Sequence, residues 1–225
     1  MARIHGIAGE WARVKGAILG LWPLGLGIFL SGFSLALLVA KRDMWSALFL
    51  GAALGLVGWS LHRGAIKVRR FYIGARGEEK VSSILKNLSD KYDVFNDFIA
   101  RGVHVDHVVV GPPGVFAIET KYWKGAVTVE EGHILLDGQL PSRPPLKQVL
   151  KEAALVKAEL AKIGWMGPVT PVLAFASDTF GANIAEVQGA VIINSSELQK
   201  SFSTDKIIIA EPEKERLVSL MENIA

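Results

Sequence analysis

Residues 106–121 read DHVVVGPPGVFAIETK. The β-branched and aromatic residues on both sides of Gly111-Pro112-Pro113-Gly114 predict two strands joined by a tight turn. Val110 then faces Val115, and counting outward sets Asp106 opposite Glu119. Directly opposed side chains on paired strands have Cβ atoms ~4.5–5.5 Å apart, so two carboxylates share one spot at the end of an apolar hairpin. Alternation along the second arm sends Val115, Ala117, Glu119 and Lys121 to one face and Phe116 and Ile118 to the other. An ammonium therefore stands beside the two acids.

Paired buried carboxylates repel each other and rise in pKa unless a positive charge lies between them. Mg²⁺ or Mn²⁺ would supply it, since such hard cations take oxygen ligands and are often held by one or two carboxylates with waters and a phosphate. Lys121 would then orient a water or stabilise charge on a phosphate. The competing reading is an Asp106, Glu119, Lys121 salt-bridge cluster at a sheet end, and the bare pattern leaves both open. Ahead of the hairpin, Val81, Ile84, Leu85 and Leu88 recur at helical spacing. Glu78 extends that apolar stripe, whereas Glu79 shares the wet face with Ser82, Ser83 and Lys86. A Glu on an inward face needs a partner, which a metal or Lys121 would provide; favourable placement in the first turn of a helix dipole is the alternative.

The surroundings are unusual for a soluble domain. Residues 17–40 hold 24 positions without a charge and residues 44–61 another 18, against the ~20 apolar residues that cross a bilayer core. Only Lys41, Arg42 and Asp43 separate them, so a transmembrane helical hairpin is expected. A cleaved signal peptide does not suit a first run this long with a second directly behind it, and neither run has the polar face of a soluble helix. Arg3, Arg13 and Lys15 precede the hairpin, and Arg63, Lys67, Arg69, Arg70 and Arg76 follow it, which places both ends in the cytoplasm. Trp11, Trp22, Trp45 and Trp59 lie near the span ends, and Gly51 with Gly55 forms a GxxxG for close helix contact.

The formal net charge of +3 is carried by residues 1–62. From Arg63 onward the acids and bases balance, and the basic run to Arg76 reads first as attraction to anionic lipid, not as a nucleic-acid field. With no cysteine, thiolate catalysis and Cys-ligated zinc are excluded. HExxH, P-loop and GxSxG motifs are absent.

From about residue 74 the pattern is α/β: a helix over 76–88, strands at 92–96, 103–110 and 114–122, a small hairpin at 126–129 and 133–136, and a helix over 145–163. Strands at 171–176 and 190–194, a short helix at 195–202, a strand at 206–210 and a helix at 213–223 follow. Gln148 sits on the flank of the 145–163 helix, where it would hydrogen-bond a phosphate or simply be solvated. Alternation turns His107 away from Asp106 and leaves His104 near Lys121. Tyr122, Trp123 and Lys124 would stack on a base or pack at the sheet edge.

Four motifs in order, GxxGEExVxxxLxxL (74–88), VFNDF (94–98), DHVVVGPPGVFAIETKYWKG (106–125) and PPLKQ (144–148), resemble the nuclease-related domain family, NERD, over residues 74–160. That family is similar to the PD-(D/E)XK nucleases, with an αβββαβ restriction-endonuclease-like core. The resemblance implies a membrane-anchored, metal-dependent nuclease with Glu78, Asp106 and Glu119 at a Mg²⁺ or Mn²⁺ ion. It also implies Lys121 as the catalytic lysine and Gln148 as an accessory residue. NERD sequences often carry Asn-Pro ahead of that glutamine; this chain has Pro144-Pro145. Nucleic acid, DNA before RNA, and the lipid bilayer are the expected partners. The alternative is an inactive membrane-tethered module that binds nucleic acid or protein. The expected segments are a cytoplasmic 1–16, transmembrane helices 17–40 and 44–62, a basic linker 63–73 and the nuclease-like domain 74–225.

Overall fold

Charge-free sequence on either side of Lys41-Arg42-Asp43 forms two long helices, α1 (Glu10–Lys41) and α2 (Met44–Lys86). They are seen in a computed structural model that describes the chain apart from residues 178–179, 182–183, 203–206 and 224–225. Glu10–Ala75 forms one unit, and Met1–Gly9 with Arg76–Ala225 forms the other.

In the helical unit, both helices are long and apolar enough to cross a membrane, and large side chains such as Phe29, Phe33, Leu48 and Phe49 point outward. The connection is tight because Arg42 adopts φ 52 and Asp43 Oδ1 accepts the Ser46 N–H at 2.7 Å, capping α2. Ser31, Ser34 and Ser60 return their hydroxyls to carbonyls one turn back, so none brings an unsatisfied donor into the apolar runs. Close helix contact does not use Gly51 and Gly55, which face open space. It uses Gly16, Gly20 and Gly64: a Cβ on Gly64 would strike the Gly20 carbonyl, and one on Gly16 the Phe71 side chain. The basic stretch expected as a linker over 63–73 is helical and lies within α2.

In the second unit the αβββαβ order is realised by the end of α2, β2 (Asp93–Ala100), β3 (Val103–Gly111), β4 (Gly114–Lys121), α3 (Pro145–Lys162) and β7 (Val169–Phe175). Pro145 at the start of α3 suits a position whose N–H has no helical partner. A side hairpin, β5 (Val127–Glu130) with β6 (His133–Leu136), lies between β4 and α3. The main sheet has the order β1-β2-β3-β4-β7-β9-β8, where β1 is Arg3–His5, β8 Ile184–Val187 and β9 Ala190–Asn194. It is a mixed sheet: β4, β7 and β9 run parallel, as does β1 with β2, and the remaining pairs are antiparallel. A 3₁₀ turn (Ser195–Glu197), α4 (Leu198–Ser201) and α5 (Glu211–Glu222) complete it.

Strand alternation decides the two cores. Phe95, Val108, Val110, Val115 and Ala117 meet Ala153, Val156 and Leu160 of α3 and Leu217 and Met221 of α5. On the other face, Val94, Val109, Ile118 and Val172 meet Val81 and Leu85 of α2 and Leu88 just after it.

Three elements differ from expectation. Among the described residues 207–210 form no strand; the Ile208 and Ile209 N–H groups instead donate to the Pro112 carbonyl of the hairpin turn, at 2.7 and 3.1 Å. β8 is a short, half-exposed edge strand with little hydrophobic signature. The first residues are not merely a leader to the hairpin: Arg3–His5 pairs in parallel with β2. Arg3 makes a two-pronged bond to Asp93, 2.7 and 2.8 Å, and His5 stacks on Phe95 at 4.4 Å between centroids. Lys214 of α5, 1% exposed, completes the cluster 3.6 Å from fully buried Asp93.

Two predictions follow from this packing. Gly64→Leu should lower the melting temperature of the detergent-solubilised chain, an overpacking loss of about 1–3 kcal/mol, while Gly55→Leu should leave it unchanged. Burial pushes the Asp93 carboxyl up, but hydrogen bonds from Arg3 and His5 and the charges of Arg3 and Lys214 outweigh it and hold it below the usual range. Its stabilisation is complete above the ordinary value of about 3.9 and is lost as pH falls through the lowered folded value. Asp93→Asn should therefore destabilise by about 3 kcal/mol at pH 7, with the gap from wild type closing in acid; denaturant unfolding at several pH values reads both.

Candidate active site

The β3–β4 ladder runs from Gly111↔Gly114 to His107↔Ile118, the register expected from the turn. One step beyond, Asp106 Oδ2 accepts the Thr120 N–H at 2.7 Å, so a carboxylate takes over as acceptor where the regular ladder ends. This fixes Asp106 next to Glu119, and both are buried. Burial, reinforced by the charges of Glu119 and Glu78, pushes Asp106 well above the usual carboxylate range.

Lys121, two residues along the same face, forms an ion pair with Glu119 and donates to Gln148 Oε1 at 2.9 Å. Burial alone would lower its pKa; the charge and hydrogen bond of Glu119, with Asp106 and Glu152 behind, raise it instead, and it stays an ammonium. Glu78 reaches the cluster from α2. Burial, then the charge of Asp97, raises it to about 7, and its Oε2 has no hydrogen-bond partner in the protein. All five residues singled out from the sequence, Glu78, Asp106, Glu119, Lys121 and Gln148, thus belong to one electrostatic cluster.

Two further acids join them. Glu152, one turn after Gln148 on α3 and 3% exposed, accepts from Gln148 Nε2 at 2.9 Å; burial and the Glu119 charge raise it to about 8. Asp97 interrupts the β2–β3 pairing between Asn96↔His107 and Phe98↔Val105, with φ 54, a region Asp tolerates better than most residues. His104 Nε2 lies 2.8 Å from Asp97 Oδ1, and its Nδ1 lies 3.6 Å from Asp106 Oδ1. Sequence reading placed His104 here and missed Asp97 and Glu152. His107 points the other way, with Nδ1 2.8 Å from Asn96 Oδ1, and burial pushes its imidazole down to about 3. Trp123 packs on Phe175, leaving Tyr122 as the exposed aromatic beside Lys121.

Acids outnumber bases in the cluster, which favours a cation. Among the described residues no group of three His, Cys, Asp or Glu side chains converges closely enough to hold one as it stands, because Glu119 is turned to Lys121. The donor set still fits a hard divalent ion: Asp106, Glu119 and Glu78 offer only oxygen, all are buried, and Glu78 Oε2 is unpartnered. Holding such an ion would require Glu119 to exchange part of its contact with Lys121.

Residues 73–176 match the family profile of the nuclease-related domain, NERD. No curated protein matches the chain. Among solved structures, the crystal structure of protein VC1899 from Vibrio cholerae is similar at 10% identity and a TM-score of 0.31. The likeness covers 96% of this chain and 54% of that one, so this chain spans about half of its length.

Because ionised Glu78 is disfavoured in the fold, its penalty grows as pH rises from the ordinary value of about 4.3 and is complete above about 7. In EDTA at pH 8, Glu78→Gln should therefore melt above wild type, with the gap closing towards about pH 5. Mg²⁺ or Mn²⁺ should raise the wild-type melting temperature and leave Glu119→Gln unmoved. A Glu78→Gln protein that melts below wild type at pH 8 would mark Glu78 as a structural ion-pair member.

Proposed function

We propose, from the premise that the chain carries a nuclease-related domain over residues 73–176, that it is a membrane-anchored, metal-dependent nuclease cleaving phosphodiester bonds of nucleic acid. The supporting observation is the convergence of Asp106, Glu119, Lys121 and Gln148 from two strands and a helix into one buried, mostly acidic cluster. Asp106 and Glu119, with Glu78, would hold Mg²⁺ or Mn²⁺, which when bound polarises a phosphoryl oxygen and acidifies a water.

Lys121 has three donors. Two are committed to Glu119 and Gln148, which leaves the third to hold the attacking water or the non-bridging oxygen that gains charge. Gln148 keeps the ammonium on the strand side of the site. Tyr122, half-exposed next to Lys121, offers a face on which a base or sugar stacks. DNA is the polymer to try before RNA.

The same reading places the two helices across the bilayer, with spans over 17–40 and 44–62. Two spans return the chain to its starting side, as the pairing of β1 with β2 requires. The basic residues that flank the hairpin put that side in the cytoplasm, with Arg63, Lys67, Arg69 and Arg70 near anionic head groups.

A second reading, a tethered module that binds without cutting, draws on the Glu119 to Lys121 ion pair, which closes the cluster without a metal. One assay separates the two. Full-length protein in detergent is incubated with single- and double-stranded DNA and RNA in Mg²⁺, Mn²⁺ or EDTA, beside Glu119→Ala and Lys121→Ala. The full chain is needed because a fragment starting after the hairpin lacks β1. Metal-dependent cutting should appear and fall at least about a hundredfold in both variants. Cutting that survives Glu119→Ala would sink the proposal, and retained binding without cutting would leave the tethered module.

A further inference from the structure

We infer that Glu152 is a positioning residue for Lys121, acting through Gln148; its consequence for catalysis rests on the phosphodiesterase reading, and its geometry does not. A lysine can only donate and a glutamine amide has one accepting and one donating end. Lys121 Nζ takes Gln148 Oε1 at 2.9 Å and Glu152 Oε1 takes Gln148 Nε2 at 2.9 Å. Both ends of the amide are thereby assigned. A flip would set N–H groups against the ammonium and the amide carbonyl against the acid. Glu152 is thus the group that tells Gln148 which way to face, and Gln148 in turn completes the pair of bonds that aims the third N–H of Lys121.

The identity of residue 152 supports this role. It lies one helical turn after Gln148 on α3, so the two side chains meet on one face. It is 3% exposed, and its carboxyl lies within hydrogen-bond reach of the Glu119 carboxyl. Its neighbours on the buried side of α3 are Val149, Ala153 and Val156, where an apolar residue would pack without leaving a polar atom unsatisfied. An acid in this place, beside the acid Glu119, is unfavourable for packing and for charge. It becomes intelligible as an acceptor built to hold Gln148. Catalytic groups need placement within about 0.5 Å, which the flexible four-carbon stem of lysine does not provide unaided.

The test compares Glu152→Ala with Glu152→Gln in the full-length protein, both read by amine acylation and peptide mass spectrometry and by nuclease kinetics. Lys214, 1% exposed in the separate Asp93 cluster, is the internal reference for global opening. Glu152→Ala should raise the labelling of Lys121 relative to Lys214 by about threefold or more, since an ordering hydrogen bond is lost. Glu152→Gln, which keeps an accepting oxygen, should stay near wild type. Cleavage should follow, with kcat down about tenfold in Glu152→Ala at little-changed KM and largely restored in Glu152→Gln. An unchanged labelling ratio in Glu152→Ala, or equal rises in both variants, overturns the inference. A ratio that rises only in Glu152→Ala while no variant cuts nucleic acid keeps the positioning role and removes the phosphodiesterase reading instead.

Discussion

The register of the β3–β4 hairpin is the constraint on which the rest depends. Pairing of Val110 with Val115 sends Asp106, Glu119 and Lys121 to the side of α3 and leaves Val109 and Ile118 to Val81 and Leu85 of α2. A slip of one residue would turn every side chain over, driving the charges into an apolar cluster and the valines into the acidic one. The Gly111-Pro112-Pro113-Gly114 turn prevents it. Gly114 supplies a φ of 130 that side-chain-bearing residues avoid, and the Pro112 carbonyl is further held by the Ile208 and Ile209 amides. Stability of the hairpin and orientation of the site therefore have one cause.

That cause creates an electrostatic problem which the rest of the site answers in part. Glu78, Asp106 and Glu152 are all raised by burial, and one ammonium, on Lys121, faces them from within. The resulting cluster is less stable than an apolar core of the same volume would be. Glu78 Oε2 remains without a partner, although the great majority of buried polar atoms in folded proteins have one. Such a surplus of acid oxygen over basic groups distinguishes the cluster from a structural ion-pair network, in which acids and bases are matched.

How much of this was legible in the sequence depends on the kind of signal involved. Strand alternation and the turn located Asp106, Glu119 and Lys121, because period-two patterns are local and the turn sets the register. Glu78 was legible by stepping back along its helix from Leu85 and Val81. The same stepping on α3, from Leu160 to Val156 to Glu152 to Gln148, would have found the missed acid. Its charge sets it apart from the adjoining apolar run over Leu146, Val149 and Ala153, with which it is buried. Asp97 gave no periodic sign at all: its role arises from a positive φ that breaks pairing in mid-strand, and only the residue type hints at that tolerance. The short strand β1 is the clearest case of tertiary override. Its three residues, Arg3–His5, carry no strand signature of their own and are held through Arg3 by Asp93, some ninety positions away in the chain.

That last contact joins two stretches of the site-bearing unit that the sequence order separates. Met1–Gly9 and Arg76–Ala225 form one unit, with Glu10–Ala75 interposed. The interposed segment is two apolar helices joined by three residues, so its ends are brought together when the helices pair along Gly16, Gly20 and Gly64. Pairing of α1 with α2 thereby shortens the effective loop that β1 must close to reach β2, and loop-closure entropy falls with it. Forming the helical hairpin thus favours delivery of the edge strand β1, whose Arg3 neutralises buried Asp93.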